Sequence, residues 1–212
     1  IYITTPHNTH LPFMEKALRG GKHVLAEKSI TLNSAELERV RALAKEKKLI
    51  LAEAMTIYHM PLYKKLREIL DAGTLGKVNL LTMNFGSFKE YDENNRFFNR
   101  NLAGGAMLDI GVYALSFVRW FLDSKPDQLL SQVRTASTGV DEQSGRLLTN
   151  QEGQMATVML SLHSKQPKRG MISCERGYIE IMEYPRAGEA KVTYTDTGKT
   201  EIIEAGDNAD AL

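Results

Sequence analysis

Three short stretches of the chain gather residue types that can do chemistry. Thr5-Pro6-His7-Asn8-Thr9-His10 follows the apolar run Ile1-Tyr2-Ile3, and Glu27-Lys28 follows the run His23-Val24-Leu25-Ala26. Gly104-Gly105-Ala106-Met107-Leu108-Asp109-Ile110-Gly111-Val112-Tyr113 opens a long apolar segment. Each has two readings. The first is either a solvated turn or a ligand-facing loop, since open parallel sheets bind ligands beyond the carboxyl ends of their strands. Glu27 and Lys28 form either a surface ion pair of little value or a grip on a cofactor amide and a substrate oxygen. Asp109 and Tyr113 stand four apart and share one helix face. They are either a helix-end carboxylate beside a core aromatic, or a polar pair kept in apolar surroundings because chemistry needs it. Gly104 and Gly105 either end a loop or let the backbone approach a ligand closely. His7 and His10 have no obvious third ligand, so no metal site is expected.

These stretches need elements to hold them. Ile1–Thr4, His23–Ala26 and Leu49–Ala52 read as short buried strands. Between them, Leu11–Arg19 and the segment after Asn33 carry the helical period, with Gly20-Gly21 as a stop and Asn33 and Glu36 spaced as a capping box. Strand alternating with helix means right-handed βαβ units and a parallel sheet, so the loops after residues 4 and 26 lie at one sheet edge. Beyond Ala54–Tyr58 the pattern changes. Pro61 opens a helix with Leu62, Leu66, Ile69 and Leu70 on one stripe, and Lys77–Phe88 reads as a long strand. Gly105–Leu122 reads as a long apolar helix. From Gln128 to Glu204 strand-like runs follow one another, among them Arg146–Leu148 and Met155–His163, which indicates an antiparallel sheet. The fold class is therefore α/β followed by α+β, with residues 1–56 as one unit and 57–212 as another.

Composition narrows the function. The 212 residues carry 27 Lys and Arg against 26 Asp and Glu, a net charge of +1. That balance argues against nucleic acid and anionic membranes, which select for a basic excess. The single cysteine, Cys174, excludes an internal disulfide and a cysteine-based zinc cage. No apolar run reads as a membrane span, and a reducing, cytoplasmic setting is expected. His59, His163 and Cys174 read as structural or solvated. The chain opens without Met in an apolar run and stops at Asp207–Leu212 in what reads as a helix start, so a piece of a longer protein is expected.

Taken in order, the three stretches, together with Gly-Lys-His-Val-Leu-Ala-Glu-Lys and Glu53-Ala54-Met55, resemble the glucose–fructose oxidoreductase / inositol dehydrogenase / MocA family. Tyr113 at the last motif position is most similar to the dimeric dihydrodiol dehydrogenase branch. The resemblance implies a Rossmann domain whose first strands and Gly-rich phosphate turn lie outside this chain, followed by an open, mainly antiparallel sheet domain. It implies hydride transfer between NAD or NADP, with NADP favoured, and a sugar, polyol or dihydrodiol. It further implies a homodimer or higher homo-oligomer built through the second sheet. On this reading Tyr113 is the general acid/base, its pKa lowered by Lys28, and Lys28 both polarises the substrate oxygen and orients the nicotinamide ribose. Asp109 holds substrate hydroxyls or the lysine. Thr5, Pro6, His7 and His10 line the nicotinamide side, and Glu27 meets the carboxamide. The chain departs from the family in having Ser29 where a proline is usual, which loosens the turn after Lys28, and Tyr58 where an arginine is often found. Asn95, Arg96, Phe97, Phe98 and Arg100 are the loop side chains on which substrate choice would rest. Two rival readings are a non-catalytic NAD(P)-sensing regulator on the same fold and an interaction module whose broad sheet serves a partner.

Overall fold

The first strands are short and branched, and the helices between them return the chain to the same sheet end, so pairing is parallel. The computed structural model describes residues 1–211. In it β1 (Tyr2–Ile3), α1 (His10–Arg19), β2 (Val24–Glu27), α2 (Ser34–Lys47) and β3 (Leu51–Ala54) follow in order. The three strands form a parallel sheet in the order β1-β2-β3, with Ile3 opposite Ala26 and Glu27 opposite Ala54. Met14, Leu18, Val40, Leu43 and Ala44 of the two helices bury Ile3, Val24 and Ala26. The start of α2 is capped as its spacing suggests. Asn33 Oδ1 accepts the Glu36 N–H at 3.0 Å. The returning bond runs from the Leu32 N–H, not that of Asn33, to Glu36 Oε2 at 3.0 Å.

The second part of the chain holds α3 (Pro61–Asp71), β4 (Val78–Gly86), a π-helical turn (Met107–Gly111) and α4 (Val112–Phe121). Seven strands follow: β5 (Gln128–Thr135), β6 (Asp141–Thr149), β7 (Met155–Ser161), β8 (Arg169–Cys174), β9 (Gly177–Ile181), β10 (Glu189–Tyr194) and β11 (Thr200–Glu204). With β4 they make an eight-stranded sheet in the order β11-β10-β9-β8-β4-β7-β6-β5. Every pairing is antiparallel except β4 with β7. Strand period 2 gives the sheet two unlike faces. Leu81, Met83, Phe85, Ala156, Val158 and Leu160 point to the helices and are buried with Leu62, Tyr63, Leu66 and Phe117. Leu80, Met155 and Met159 point the other way and are exposed.

Several boundaries differ from the sequence reading. The long helix expected from Gly105 is broken into a π-helical turn and α4. The strand expected at Arg146–Leu148 runs from Asp141 to Thr149. The helix start expected at Asp207–Leu212 is a 3₁₀ turn, Asn208–Ala211, and Leu212 lies outside the described residues. By length and composition the stretch Arg100–Phe121, mean hydropathy 1.3, is apolar enough to cross a membrane. It is instead interrupted by a π-helical turn and packs Ile110, Ala114, Phe117, Val118 and Phe121 into the core.

Helix α4 approaches the sheet closely because β8 offers it no side chain at Gly170. A Cβ there would sit 2.6 Å from two carbons of the Phe117 ring. Phe117 is fully buried and packed edge-on against Phe121 and Tyr184, so it has nowhere to move. Gly170→Ala in the intact protein should therefore cost about 1–3 kcal/mol, the scale of core overpacking. Denaturant titration of the variant against wild type measures it, and an unchanged midpoint would show that α4 can shift outward freely.

Candidate active site

Parallel pairing puts the loops after β1 and β2 side by side, and the π-helical turn of the second unit faces them. Between them lies a cleft of about 330 Å³ lined by Thr5, Pro6, His7, Glu27, Lys28, Phe97 and Asp109, with Gly104 and Gly105 in its wall. Three residue pairs stitch the two parts together along this edge. Lys28 Nζ donates to the Asp109 carbonyl at 2.6 Å and lies 3.3 Å from Asp109 Oδ1. Ser29 Oγ donates to the Leu108 carbonyl at 2.9 Å, and Asn8 Nδ2 donates to the Asn101 carbonyl at 3.1 Å.

Lys28 and Asp109 side chains are each 13% exposed, so water screens them little. An ammonium has three donors, and Asp109 engages two of them. Above the same ammonium lies the Tyr113 ring, its centroid 4.8 Å from Nζ. Residues 28, 109 and 113 thus meet at one place, as the sequence reading required. Asp109 is also 3.5 Å from Arg96 Nη1, and the Arg96 guanidinium stacks on Phe97 at 4.1 Å.

One expectation is overturned. Lys28 does not make Tyr113 more acidic; the Tyr113 pKa is raised above its ordinary value. Burial is the largest cause, and the charges of Glu27, Asp109 and Glu53 add to it while Arg186 opposes them. The physical reason is local. Lys28 lies over the ring face, and its charge is largely answered by Asp109, so burial decides. Tyr113 is consequently a protonated phenol at neutral pH.

The remaining residues divide. Thr5, Pro6, His7 and Glu27 line the cleft. His7 Nε2 is 3.1 Å from the Lys28 carbonyl, and burial followed by the Lys28 charge lowers the pKa of its ring. The Glu27 carboxylate accepts the Tyr2 hydroxyl at 2.5 Å, so it is already partly engaged. His10 does not line the cleft. It is fully buried, and its ring bridges the Thr5 carbonyl at 2.7 Å and the Ser29 carbonyl at 2.9 Å. It braces the two loops from behind. Nor is the turn after Lys28 loose. His10 holds its carbonyl and the Ser29 hydroxyl ties it to Leu108, bonds that replace a proline's stiffness. Tyr113 borders the cleft through Lys28 and is not part of its wall.

Asp141 was not singled out in the sequence, and it fixes the π-helical turn. Its Oδ2 accepts the Met107 N–H at 2.7 Å. Its Oδ1 occupies the space where a Cβ on Gly105 would fall, and Gly105 has φ +115. Only glycine suits that backbone and that neighbour. No local pattern points from residue 141 to residue 105. The strand expected at Arg146–Leu148 does not reach back to Asp141.

The cleft fits a nicotinamide nucleotide in part. It lies beyond strand ends, has flat apolar walls in Pro6 and Phe97, and is of a size that one ring and its sugar fill. Among the described residues no group of three or more His, Cys, Asp or Glu could hold a metal.

Comparison with known proteins agrees with this geometry. Residues 1–55 match the domain described as "Oxidoreductase family, NAD-binding Rossmann fold", and residues 63–180 match the "GFO/IDH/MocA C-terminal domain". The chain is 31% identical over 183 residues to trans-1,2-dihydrobenzene-1,2-diol dehydrogenase of Mus musculus, covering 86% of this chain and 54% of that enzyme. It is 41% identical over 125 residues to dTDP-3,4-didehydro-2,6-dideoxy-alpha-D-glucose 3-reductase of Streptomyces violaceoruber, covering 59% of this chain and 36% of that enzyme. In fold it is similar to a 3-ketoreductase from Actinomadura kijaniata solved with TDP-benzene and NADP. The TM-score is 0.86 and the identity 24%, over 99% of this chain and 66% of that one. The chain therefore spans about a third to a half of the curated relatives named here. With both domain types matched in order over most of its length, the chain belongs to the GFO/IDH/MocA oxidoreductase family.

Proposed function

We propose that the intact protein is an NADP-dependent oxidoreductase that exchanges hydride between the nicotinamide and a CH–OH or C=O group of a sugar, polyol or dihydrodiol. One observation carries this reading: Lys28 meets the Asp109 and Tyr113 pair, more than 80 residues further along the chain, beside the cleft at the strand ends. Residues 1–56 are read as part of the dinucleotide-binding domain and 57–212 as the substrate domain. NADP is favoured because the Actinomadura ketoreductase binds it. Thr5, Pro6, His7 and Glu27 would hold the nicotinamide half. The cofactor supplies or accepts the hydride. The setting is proposed to be cytoplasmic, where such dinucleotides are kept.

The chain's own residues supply placement and the proton. Lys28, held by Asp109, has a third N–H free to donate to the substrate oxygen and stabilise developing negative charge there. Asp109 fixes the ammonium in direction. Tyr113, kept protonated by burial, donates a proton to the carbonyl oxygen in the reductive direction. The same phenol must first ionise before it can act as a base toward an alcohol. Reduction is therefore the direction this site favours at neutral pH.

The sheet face opposite the helices supports a homodimer. Leu80, Leu130, Met155 and Met159 are exposed on the β4, β5 and β7 part of this face, apolar surface that a second copy would cover by two-fold pairing.

Lys28→Met and Tyr113→Phe in the intact protein should each lower turnover by ~10²-fold or more, the scale of an acid/base contribution. Their NADP(H) affinity, measured by fluorescence titration, should change far less. Full turnover in Tyr113→Phe would remove the phenol from the mechanism. The raised Tyr113 pKa sets a second expectation. Reductive kcat/KM should show no Tyr113-dependent alkaline fall over roughly pH 6–9, whereas oxidative kcat/KM should climb with pH, because burial holds the phenolate back beyond the ordinary tyrosine range. Profiles of wild type against Tyr113→Phe test this; a tyrosine-dependent fall near neutrality would contradict it. Native mass spectrometry should give a dimer for wild type and a shift toward monomer for Met159→Glu. A wild-type monomer would refute the pairing.

A further inference from the structure

Glu53 belongs to a motif that the proposed mechanism does not use, and it sits against the loop that carries Lys28. In the parallel register it lies opposite Ala26, two residues before Lys28. The chain turns back after Lys28, and the Ile30 N–H donates to Glu53 Oε1 at 2.9 Å. Residues 28–30 separate two hollows. Lys28 lines the cleft, whereas Ser29 and Ile30 line a groove of about 370 Å³ together with Glu53, Met107, Leu108 and Val112. Three further bonds hold this loop. His7 and His10 meet the Lys28 and Ser29 carbonyls at 3.1 and 2.9 Å, and the Ser29 hydroxyl donates to the Leu108 carbonyl at 2.9 Å. Glu53 supplies the anchor furthest along. It is a costly one. Among the described residues no cation lies within 4 Å of its carboxylate. Burial is the largest cause that pushes its pKa up, opposed by the Ile30 bond and, further, by His10 and Lys28. A largely buried carboxylate without an ion pair needs a reason. The Ile30 N–H gives one, because left without a partner against an apolar wall it would turn the loop toward water and take Lys28 with it.

We propose that Glu53 is a positioning residue: by holding the Ile30 N–H it fixes the loop on which Lys28 stands, and so fixes where the Lys28 ammonium meets the substrate oxygen. Asp109 sets the direction of that ammonium from the second part of the chain. Glu53 sets the place of its backbone from the neighbouring strand of the first sheet. Placement of this kind governs rate, since a donor displaced from the oxygen where charge develops loses most of its effect. The inference rests on the oxidoreductase reading for the reaction it serves, while the hold on Lys28 stands on the contacts themselves.

The test compares wild type, E53Q and E53L in the intact protein. Glutamine keeps an acceptor for the Ile30 N–H; leucine keeps the bulk and loses the acceptor. With NADPH and a carbonyl substrate that wild type reduces, E53L should lower kcat about 10-fold, the scale of one buried hydrogen bond. E53Q should recover most of that loss, and NADPH affinity by fluorescence titration should change little in either. In a K28M background E53L should cost little more, because a residue that acts through Lys28 has nothing left to place. Lys28 is also read directly. Trace labelling with acetic anhydride, resolved by peptide mass spectrometry, should modify Lys28 faster in E53L than in wild type or E53Q, with Lys168 labelled at one rate in all three. Should E53L not fold, E53D, whose carboxylate is one carbon short of the Ile30 N–H, carries the same comparison. Full turnover in E53L, or an equal loss with and without K28M, overturns the proposal, and so does Lys28 labelling at one rate in all three proteins. A wild type inactive with NADP(H) toward sugars, polyols and dihydrodiols, with Lys28 labelled faster in E53L alone, overturns the oxidoreductase reading and leaves Glu53 as the residue that places Lys28.

Discussion

The contact between Lys28 and Asp109 is the constraint around which the rest of this structure is arranged. Taking an ammonium and a carboxylate out of water is costly unless geometry is good and the remaining donors are satisfied. Here Asp109 meets Lys28 with both its backbone carbonyl and its carboxylate. A regular α-helix would direct that carbonyl along its own ladder. The π-helical turn at Met107–Gly111 departs from the ladder, as such turns at functional sites often do. The turn in turn depends on Asp141 holding the Met107 N–H and on glycine at 105. A strand residue far along the chain thereby sets the direction of a lysine at a sheet edge in the other unit.

That pairing also decides the acid–base character of the site. A lysine near a tyrosine is commonly expected to favour the phenolate. In this protein the ammonium faces the ring and spends two of its donors on Asp109, while Glu27 and Glu53 add negative charge nearby. The outcome is a tyrosine kept neutral by burial and a lysine kept oriented by a carboxylate. Under the function proposed above, proton donor and charge stabiliser would be separate groups, a division that would suit carbonyl reduction. The buried His10, seated between two loop carbonyls, and Ser29, bonded to Leu108, hold the loop edge against which this arrangement is built.

The eight-stranded sheet does two different tasks with its two faces. One face buries α3 and α4 and so fixes Tyr113, with Gly170 setting how closely α4 can come. The other leaves Leu80, Met155 and Met159 uncovered. Alternation along each strand makes both possible at once, because neighbouring residues cannot share a face.

Much of this was readable from the order of residues. Strand–helix alternation in residues 1–53 fixed parallel pairing, and hence that the loops after Ile3 and Glu27 lie together, because parallel strands need crossovers of one hand. The cap at Asn33, the Pro61 helix start and the stripe of α3 follow from local chemistry, and the ordered motifs were enough to indicate the family. What sequence could not supply were contacts across long separations. That Lys28 is claimed by Asp109 and that Tyr113 becomes less acidic rather than more depend on where the two sheets pack, since Asp109 lies 81 places from Lys28 and the charges of Glu27 and Glu53 reach Tyr113 from the first sheet. That His10 turns inward to Thr5 and Ser29, and that Asp141 governs the π-helical turn, depend on contacts within each part between segments 19 and 34 places apart, which local periodicity does not encode.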